Sequence, residues 1–248
     1  MAPRILLISD LHLQASRPEI TYSLNQFLAN NRGNCTSLYI LGDLFEAWIG
    51  DDDDHPLGQE ISTILADFAA GGSQIYLMHG NRDFLLGASF ARACRAELLP
   101  EQQAIATSAG PVLLMHGDQL CTDDQEYQEF RQLVRSDTWQ EQFLSRPLAE
   151  RRAFAEQARS QSKEATSMKA GDIMDVNQAE VASVLADSGH HILIHGHTHR
   201  PAEHSLVLGD GSTASRIVLG SWDEAVWFVE INAEGISLEQ RPLEHRTN

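Results

Sequence analysis

The chain has 248 residues, of which 18 are basic and 35 acidic, giving a formal net charge of −17. That length supports one well-buried α/β domain more readily than two, and the acidic balance argues against a general nucleic-acid binder, whose hold on phosphate backbones rests on Lys and Arg. The three cysteines, Cys35, Cys94 and Cys121, show no C-x-x-C spacing, which argues against a disulfide framework or a zinc ribbon and suits a reducing compartment.

At the N-terminus, "MAPRILLISDLHL" places Arg4 before a short apolar run that ends at Asp10, too short and too soon charged for a secretion signal. No stretch approaches the roughly 18 uninterrupted apolar residues of a spanning helix. The expectation is a soluble protein, or at most one attached to a membrane surface.

One pattern then recurs along the chain. Four or five apolar residues stop abruptly at small and metal-competent ones, in "RILLISDLH" (4–12), "SLYILGDLFE" (37–46), "QIYLMHGNRD" (74–83), "PVLLMHGD" (111–118) and "HILIHGHTH" (191–199). Short apolar runs bounded by Gly read as buried strands. Between the first three lie amphipathic stretches, "EITYSLNQFLANN" (19–31) and "GQEISTILADFAAGG" (58–72), the second closed by a Gly pair suited to a helix C-terminus. Strand–helix alternation predicts βαβ units, and polar residues at the carboxyl ends of such strands are where sites form.

Residues 51–54 are four consecutive aspartates, read as a solvated loop before a helix, and Trp48 just upstream is read with equal weight as pocket lining or core cap. Residues 122–170 contain no strand-like run. Tyr127, Phe130, Val134, Trp139 and Phe143 fall at helical spacing there, among eight of the 18 basic residues: Arg131, Arg135, Arg146, Arg151, Arg152, Arg159, Lys163 and Lys169. This segment is predicted to be a helical insertion in a strand-built domain spanning 1–248. An apolar helical stripe is usually core, but an acidic protein that concentrates its cations in one segment can direct them at phosphate or at anionic lipid headgroups. The tail, "RIVLGSWDEAVWFVEINAEGISLEQRPL" (216–243), alternates and carries turn signals at Asp223-Glu224 and Glu234-Gly235, which predicts β-hairpins and a core of two sheet layers.

The strand ends supply Asp10, His12, Asp43, Asn81, His116, His197 and His199, all imidazole or oxygen donors with no thiolate. Such a set favours Mn, Fe, Zn or a similar divalent ion. Seven donors exceed one tetrahedral zinc and suit two ions roughly 3.5–4 Å apart that share a carboxylate and clamp a displacement at phosphorus. His79 and His195, each directly before a glycine, are read as histidines behind the ligands. In "LGD", "HGN" and "HGH" the ligand follows the glycine, and by that frame Asp118 would be the ligand of "HGD".

In order, "DLH" (10–12), "GDLFE" (42–46), "GNRD" (80–83), "HGD" (116–118) and "GHTH" (196–199) resemble the five signatures of calcineurin-like metallophosphoesterases. The resemblance implies a four-layer αββα sandwich with a dinuclear centre. One ion would take Asp10, His12, Asp43 and His199, and the other Asp43, Asn81, His116 and His197. It places the HGD ligand at His116 and leaves Asp118 behind it.

Many members read G-N-H-[DE], with the histidine placed to assist the leaving group, whereas Arg82 stands there in this chain. Arginine does not give up a proton near neutral pH but holds phosphate oxygens bidentately, so a leaving group that departs unprotonated is expected, such as a phosphate monoester from a pyrophosphate. Longer stretches, including "YILGDLFEAWIGDD" (39–52), "HGNRDFLLG" (79–87), "MHGDQLCTDDQEYQ" (115–128), "SKEATSMK" (162–169), "IMDVNQ" (173–178) and "HGHTHRPA" (195–202), are similar to one branch of the family. That branch acts on a UDP-linked diacyl glucosamine lipid, with water attack at the α-phosphate, manganese as the usual metal, and a place at the cytoplasmic face of the inner membrane. The resemblance implies that Asp43, Asn81, Arg82 and His116 serve catalysis and that Asn81, Arg82, Asp124, Ser162, Thr166, Lys169 and His197 surround the substrate, under a helical cap over the acyl chains. Thr166 stands where the branch has asparagine.

Two rival readings are a nucleoside-polyphosphate or cyclic-nucleotide hydrolase of the same fold, which leaves the apolar face of the insertion unused, and a metal-free binding module, which should lack several of the seven ligands.

Overall fold

The computed structural model describes residues 3–168 and 175–244, with backbone only for 161–168. In chain order the strands are β1 (Ile5–Ile8), β2 (Ser37–Leu41), β3 (Gln74–Met78), β4 (Ala96–Leu98), β5 (Gln102–Thr107), β6 (Gly110–Met115), β7 (Ile192–His195), β8 (Ala202–Val207), β9 (Thr213–Val218), β10 (Ala225–Asn232) and β11 (Gly235–Pro242). The helices are α1 (Pro18–Asn31), α2 (Pro56–Ala69), α3 (Ala88–Ala93), α4 (Gln125–Val134), α5 (Asp137–Leu144), α6 (Leu148–Met168) and α7 (Gln178–Ser188).

Two sheets form the centre. The first runs β11-β10-β1-β2-β3-β4 and the second β5-β6-β7-β9-β8. Strands β1 to β4 are mutually parallel, as are β6, β7 and β9, while β5, β8, β10 and β11 add antiparallel edges. Strands β1, β2 and β7 are apolar on both faces over most of their length because both are covered. Alternation along β1 divides its residues between two cores. Ile5 and Leu7 face inward with Leu41, Leu114, Ile194 and Ile217. Leu6 and Ile8 face outward with Leu24 and Phe27 of α1 and Ile61 and Leu65 of α2. On the far side, Leu113 and Leu193 of the second sheet pack on Val181 and Leu185 of α7. The result is the four-layer αββα sandwich.

The five apolar runs all become strands, and both amphipathic stretches become helices within two residues of their expected starts. The tail differs in one respect. Glu234-Gly235 closes the β10–β11 hairpin, with Gly235 at φ 132°. Asp223-Glu224 closes none, because β9 belongs to the second sheet and β10 to the first. The link crosses from one sheet to the other below the site, where the Trp222 amide donates to the Asp10 carbonyl at 3.1 Å.

Candidate metal centre

Asp10 and His12 follow β1, Asp43 follows β2, Asn81 follows β3, His116 follows β6, and His197 and His199 follow β7. All seven donors therefore leave the carboxyl ends of parallel strands and meet where the two sheets come together. They fall into two groups. In the first, His12 Nε2 lies 3.1 Å from His199 Nε2 and 3.8 Å from Asp43 Oδ2, and His199 Nε2 lies 3.4 Å from Asp10 Oδ1. In the second, Asn81 Oδ1 lies 2.9 Å from His116 Nε2 and 2.8 Å from His197 Nδ1, and His116 Nε2 lies 3.8 Å from Asp43 Oδ1. Asp43 presents one oxygen to each group.

Among the described non-glycine residues, those with positive φ are Asp10, His12, Asp43, Arg95, His197 and His199. Five of the six are donors of the centre. Left-handed backbone disfavours residues with a Cβ, and its concentration here turns successive side chains of one short loop toward one point. The flanking glycines serve close approach. A Cβ on Gly80 would stand 2.1 Å from Asp43 Oδ1, and one on Gly196 would stand 2.2 Å from Asp10 Oδ2.

The donors are held from behind. His116 Nδ1 donates to the Leu41 carbonyl at 2.8 Å, and His12 Nδ1 lies 3.0 Å from Glu46 Oε2. The first is a hydrogen bond that fixes the His116 tautomer and turns its Nε2 into the site, and the second sets a carboxylate behind the His12 ring. Asp83, fully buried, accepts from the amides of Asp43, Leu44, Phe45 and Gly80 at 3.2, 2.7, 3.3 and 2.9 Å. It thereby clamps the loops of Asp43 and Asn81 together. Ser9 donates to Asp10 Oδ2 at 2.5 Å, and the His197 amide donates to the same oxygen at 3.0 Å.

Electrostatics show what this cluster requires. Burial, the largest influence on His12, pulls its pKa down, yet Glu46, Asp43 and Asp10 together raise it to about 9. His116 is likewise raised by Asp43, Asp118 and Asp10 against burial. With Nδ1 committed to Leu41, a neutral His116 would aim a lone pair at the carbonyl oxygen of Asn81. Buried carboxylates that draw positive charge, and lone pairs that converge at about 3 Å, are what bound cations satisfy. Oxygen and imidazole donors suit a divalent ion. The residues present fit a metal centre.

Residues 3–201 match the calcineurin-like phosphoesterase family. The chain is a calcineurin-like phosphoesterase. It is 50% identical over 233 residues to the UDP-2,3-diacylglucosamine hydrolase of Cellvibrio japonicus, covering 94% of this chain and 97% of that one. It is 49% identical over 239 residues to the protein of that name from Pseudomonas aeruginosa, covering 96% and 99%. The Serratia proteamaculans protein, also so named, is 45% identical over 238 residues, with 96% and 99% covered.

In the phosphoesterase, a cavity of about 570 Å³ opens beside the metal donors. His12, Asp43, Asn81, Arg82, His197 and His199 line one end, and Asp124 lies on its wall at the N-cap of α4. The other end is aromatic: Trp48, Phe84, Trp139, Phe143 and Phe154. Trp139 stacks on Phe143 with ring centroids 4.7 Å apart, and both meet Phe154. Trp48 fills both roles weighed for it. It lines the cavity, packs on Phe45 and Phe90, and donates Nε1–H to Asp51 at 3.1 Å. Of the remaining expected substrate contacts, the side chains of Ser162 and Thr166, and Lys169 as a whole, lie outside the described residues.

One expectation is refined and one corrected. The aspartate run is the expected loop before a helix, with Asp52 and Asp54 exposed, but its carboxylates are partnered. Asp51 accepts from the amides of Gly87, Ser89 and Phe90 at 2.8, 2.9 and 2.9 Å, Asp52 pairs with Arg151, and Asp53 and Asp54 pair with Arg152. The insertion's arginines are not reserved for an outside anion. Arg131 reaches Asp118 and Glu101 at 2.7 and 2.6 Å, Arg135 reaches Glu101 at 3.3 Å, and Arg159 reaches Glu46 at 2.8 Å. They fasten α4 and α6 to carboxylates of the sheet domain.

His79 Nε2 contacts the Leu86 carbonyl at 2.7 Å. His195 is fully buried, with Nδ1 2.8 Å from the Gly196 carbonyl and Nε2 3.3 Å from Arg216 Nη1. Burial first, and Arg216 second, lower its pKa to about 4. Asp118 lies behind the centre, where it accepts from Tyr127 Oη at 2.8 Å and Arg131 Nε at 2.7 Å. Glu46 and Asp83 stand in the sequence motifs without an evident task there, and the structure places both directly behind the donors. Their signal was position, since each closes a motif whose first members are ligands.

Proposed function

We propose that this phosphoesterase hydrolyses the pyrophosphate bond of UDP-2,3-diacylglucosamine by water attack on the α-phosphate, giving UMP and 2,3-diacylglucosamine 1-phosphate in lipid A biosynthesis. The observation that carries the reading is the two-ended cavity, with phosphate chemistry at one wall and an aromatic chamber at the other. A substrate that fills both ends joins a charged diphosphate to acyl chains. The names of the relatives, UDP-2,3-diacylglucosamine hydrolases, support the same substrate.

Asp10, His12, Asp43 and His199 would hold one ion, and Asp43, Asn81, His116 and His197 the other, with Mn²⁺ the proposed metal. When bound, such a pair supplies a water of lowered pKa and neutralises charge at phosphorus. The chain's own residues then divide the remaining work. Arg82 offers a planar fork to phosphoryl oxygens, and Asn81 lies beside it. Neither supplies a proton to the departing group, and a phosphate monoester needs none. Asp124, Ser162, Thr166, Lys169 and His197 would bind the substrate, and the insertion at 122–170 would cap the acyl chains. No helix among the described residues is long and apolar enough to cross a membrane, while Phe130, Leu133 and Leu144 stand exposed on α4 and α5. These exposed side chains support peripheral attachment at the cytoplasmic face of the inner membrane, where apolar groups enter the headgroup region.

The test is turnover of UDP-2,3-diacylglucosamine with Mn²⁺ in ¹⁸O-water. The expected result is UMP that carries the label. Label in the sugar phosphate would overturn attack at the α-phosphate, and no turnover would overturn the substrate. A water-soluble nucleotide turned over without detergent and in preference to the lipid would favour the rival phosphohydrolase, which leaves the aromatic chamber without a task.

A further inference from the structure

One contact between the cap and the metal donors runs through a single carboxylate. Arg159, on α6, sets Nη2 2.8 Å and Nε 3.1 Å from Glu46 Oε1. The other oxygen of the same carboxylate, Oε2, stands 3.0 Å from His12 Nδ1. His12 Nε2 in turn faces Asp43 and His199. A continuous line therefore runs from a cap helix, through one carboxylate, to one metal donor. Glu46 side-chain exposure is 13% and that of His12 is 11%, against 30% for Arg159, so the inner contact is the drier one. Arg82 also acts electrostatically on Glu46, while α6 reaches this carboxylate through Arg159.

We infer that Glu46 is a positioning residue through which the seating of cap helix α6, via Arg159, sets the affinity of the ion held by His12. A carboxylate set against the far nitrogen of a metal-bound imidazole, as Glu46 Oε2 is at 3.0 Å from His12 Nδ1, orients the ring and raises its basicity. Arg159 fixes the carboxylate. Displacement of α6 removes the guanidinium, frees Glu46 to turn, and leaves His12 without its orienter. The neighbouring residues Phe154 and Ala158 of α6 line the aromatic chamber. Contents of that chamber that hold α6 in place should therefore tighten the ion at His12, and by reciprocity the ion should favour the seated cap. The other donor group has its own tie to the cap, since Arg135 of α4 donates to the Gly80 carbonyl at 2.9 Å beside Asn81. The His12 line should therefore act on one ion and spare the other.

The inference rests on the metal-centre reading, and one experiment separates the two. Mn²⁺ alone is titrated calorimetrically into metal-stripped full-length protein, as wild type, Glu46→Gln, Arg159→Met, Arg159→Lys and the Glu46→Gln/Arg159→Met double variant. Two ions on wild type are expected, and fewer than two would overturn the centre itself. Given two, Glu46→Gln should weaken one ion by roughly 10- to 100-fold, the usual range for a lost partner behind a ligand. Arg159→Met should weaken the same ion by at least about threefold, Arg159→Lys should recover part of that, and the double variant should be no worse than Glu46→Gln. Unchanged affinities in Arg159→Met, equal weakening of both ions, or an additive double variant would each overturn the inference while leaving the centre standing.

Discussion

Arg151 of α6 grips Asp52 with both terminal nitrogens, Nη1 at 2.7 Å from Oδ1 and Nη2 in a shorter contact with Oδ2. The guanidinium is 2% exposed, while Asp52 faces solvent, and the buried face is satisfied by the carbonyls of Ile49 and Arg146 at 2.7 and 3.0 Å. Arg151→Met keeps the packing volume and strands those acceptors. The expected cost is about 1–3 kcal/mol, seen as a fall of several degrees in the thermal midpoint and faster protease cutting within α4 to α6. Unchanged cutting would show that the clasp does not hold the cap.

Asp43 is the donor common to both groups. Asp43→Ala should lose both ions together and nearly all turnover, by elemental analysis and lipid assay. A variant that kept its manganese and its rate would refute the shared carboxylate.

His195 and His199 lie four residues apart in one motif with opposite expected fates. His199→Ala should lose an ion. His195→Ala should keep both, and instead lose stability by about 1–3 kcal/mol, because Arg216 and the Gly196 carbonyl lose a buried partner. An emptied site in His195→Ala with a full one in His199→Ala would reverse the assignment.

The stripped protein should be sensitive to alkali. The folded pKa of His12, about 9, lies above its unfolded value near 6.5. Its stabilisation is therefore fully present below about pH 6.5 and lost as pH rises through about 9. His195 has the opposite sign: at about 4 its folded pKa is depressed, and its contribution is lost as pH falls from about 6.5 towards 4. Unfolding midpoints of EDTA-treated protein between pH 6.5 and 9 should fall, and His12→Gln should flatten that slope. Parallel slopes in the two proteins would show that His12 carries no proton in the stripped state.

The centre was legible in sequence because strand physics writes it out. An apolar run must end, and the residues at its end enter the cleft between sheets, so five runs with polar ends located the candidate donors in order, while the choice of His116 over Asp118 in "HGD" came from the family resemblance. The fold class was legible for the same reason. Edge strands were less so. β5, "QQAIAT", and β8, "AEHSLV", carry few β-branched residues and lie half in solvent, so neither shows a clear period. The Asp223-Glu224 turn misled because a local turn signal does not say which sheet receives the next strand. The ion pairs were out of reach altogether. Arg151 and Asp52 are 99 residues apart, and Arg159 and Glu46 are 113 apart. An arginine at the surface of a helix looks the same in sequence whether it meets water or a distant carboxylate.

The left-handed backbone at five donors has a cost in heat resistance. Each such residue stands on the order of 1–2 kcal/mol above an ordinary conformation, and glycine or asparagine occupies that region with less strain. A substitution such as His199→Gly, at a half-exposed donor with φ 55°, can therefore make the stripped protein harder to melt while it destroys the centre. A mutant library selected only for survival on heating would remove the donors first. One selected for turnover would keep them and would have to find its extra stability elsewhere, in the cores beneath the sheets.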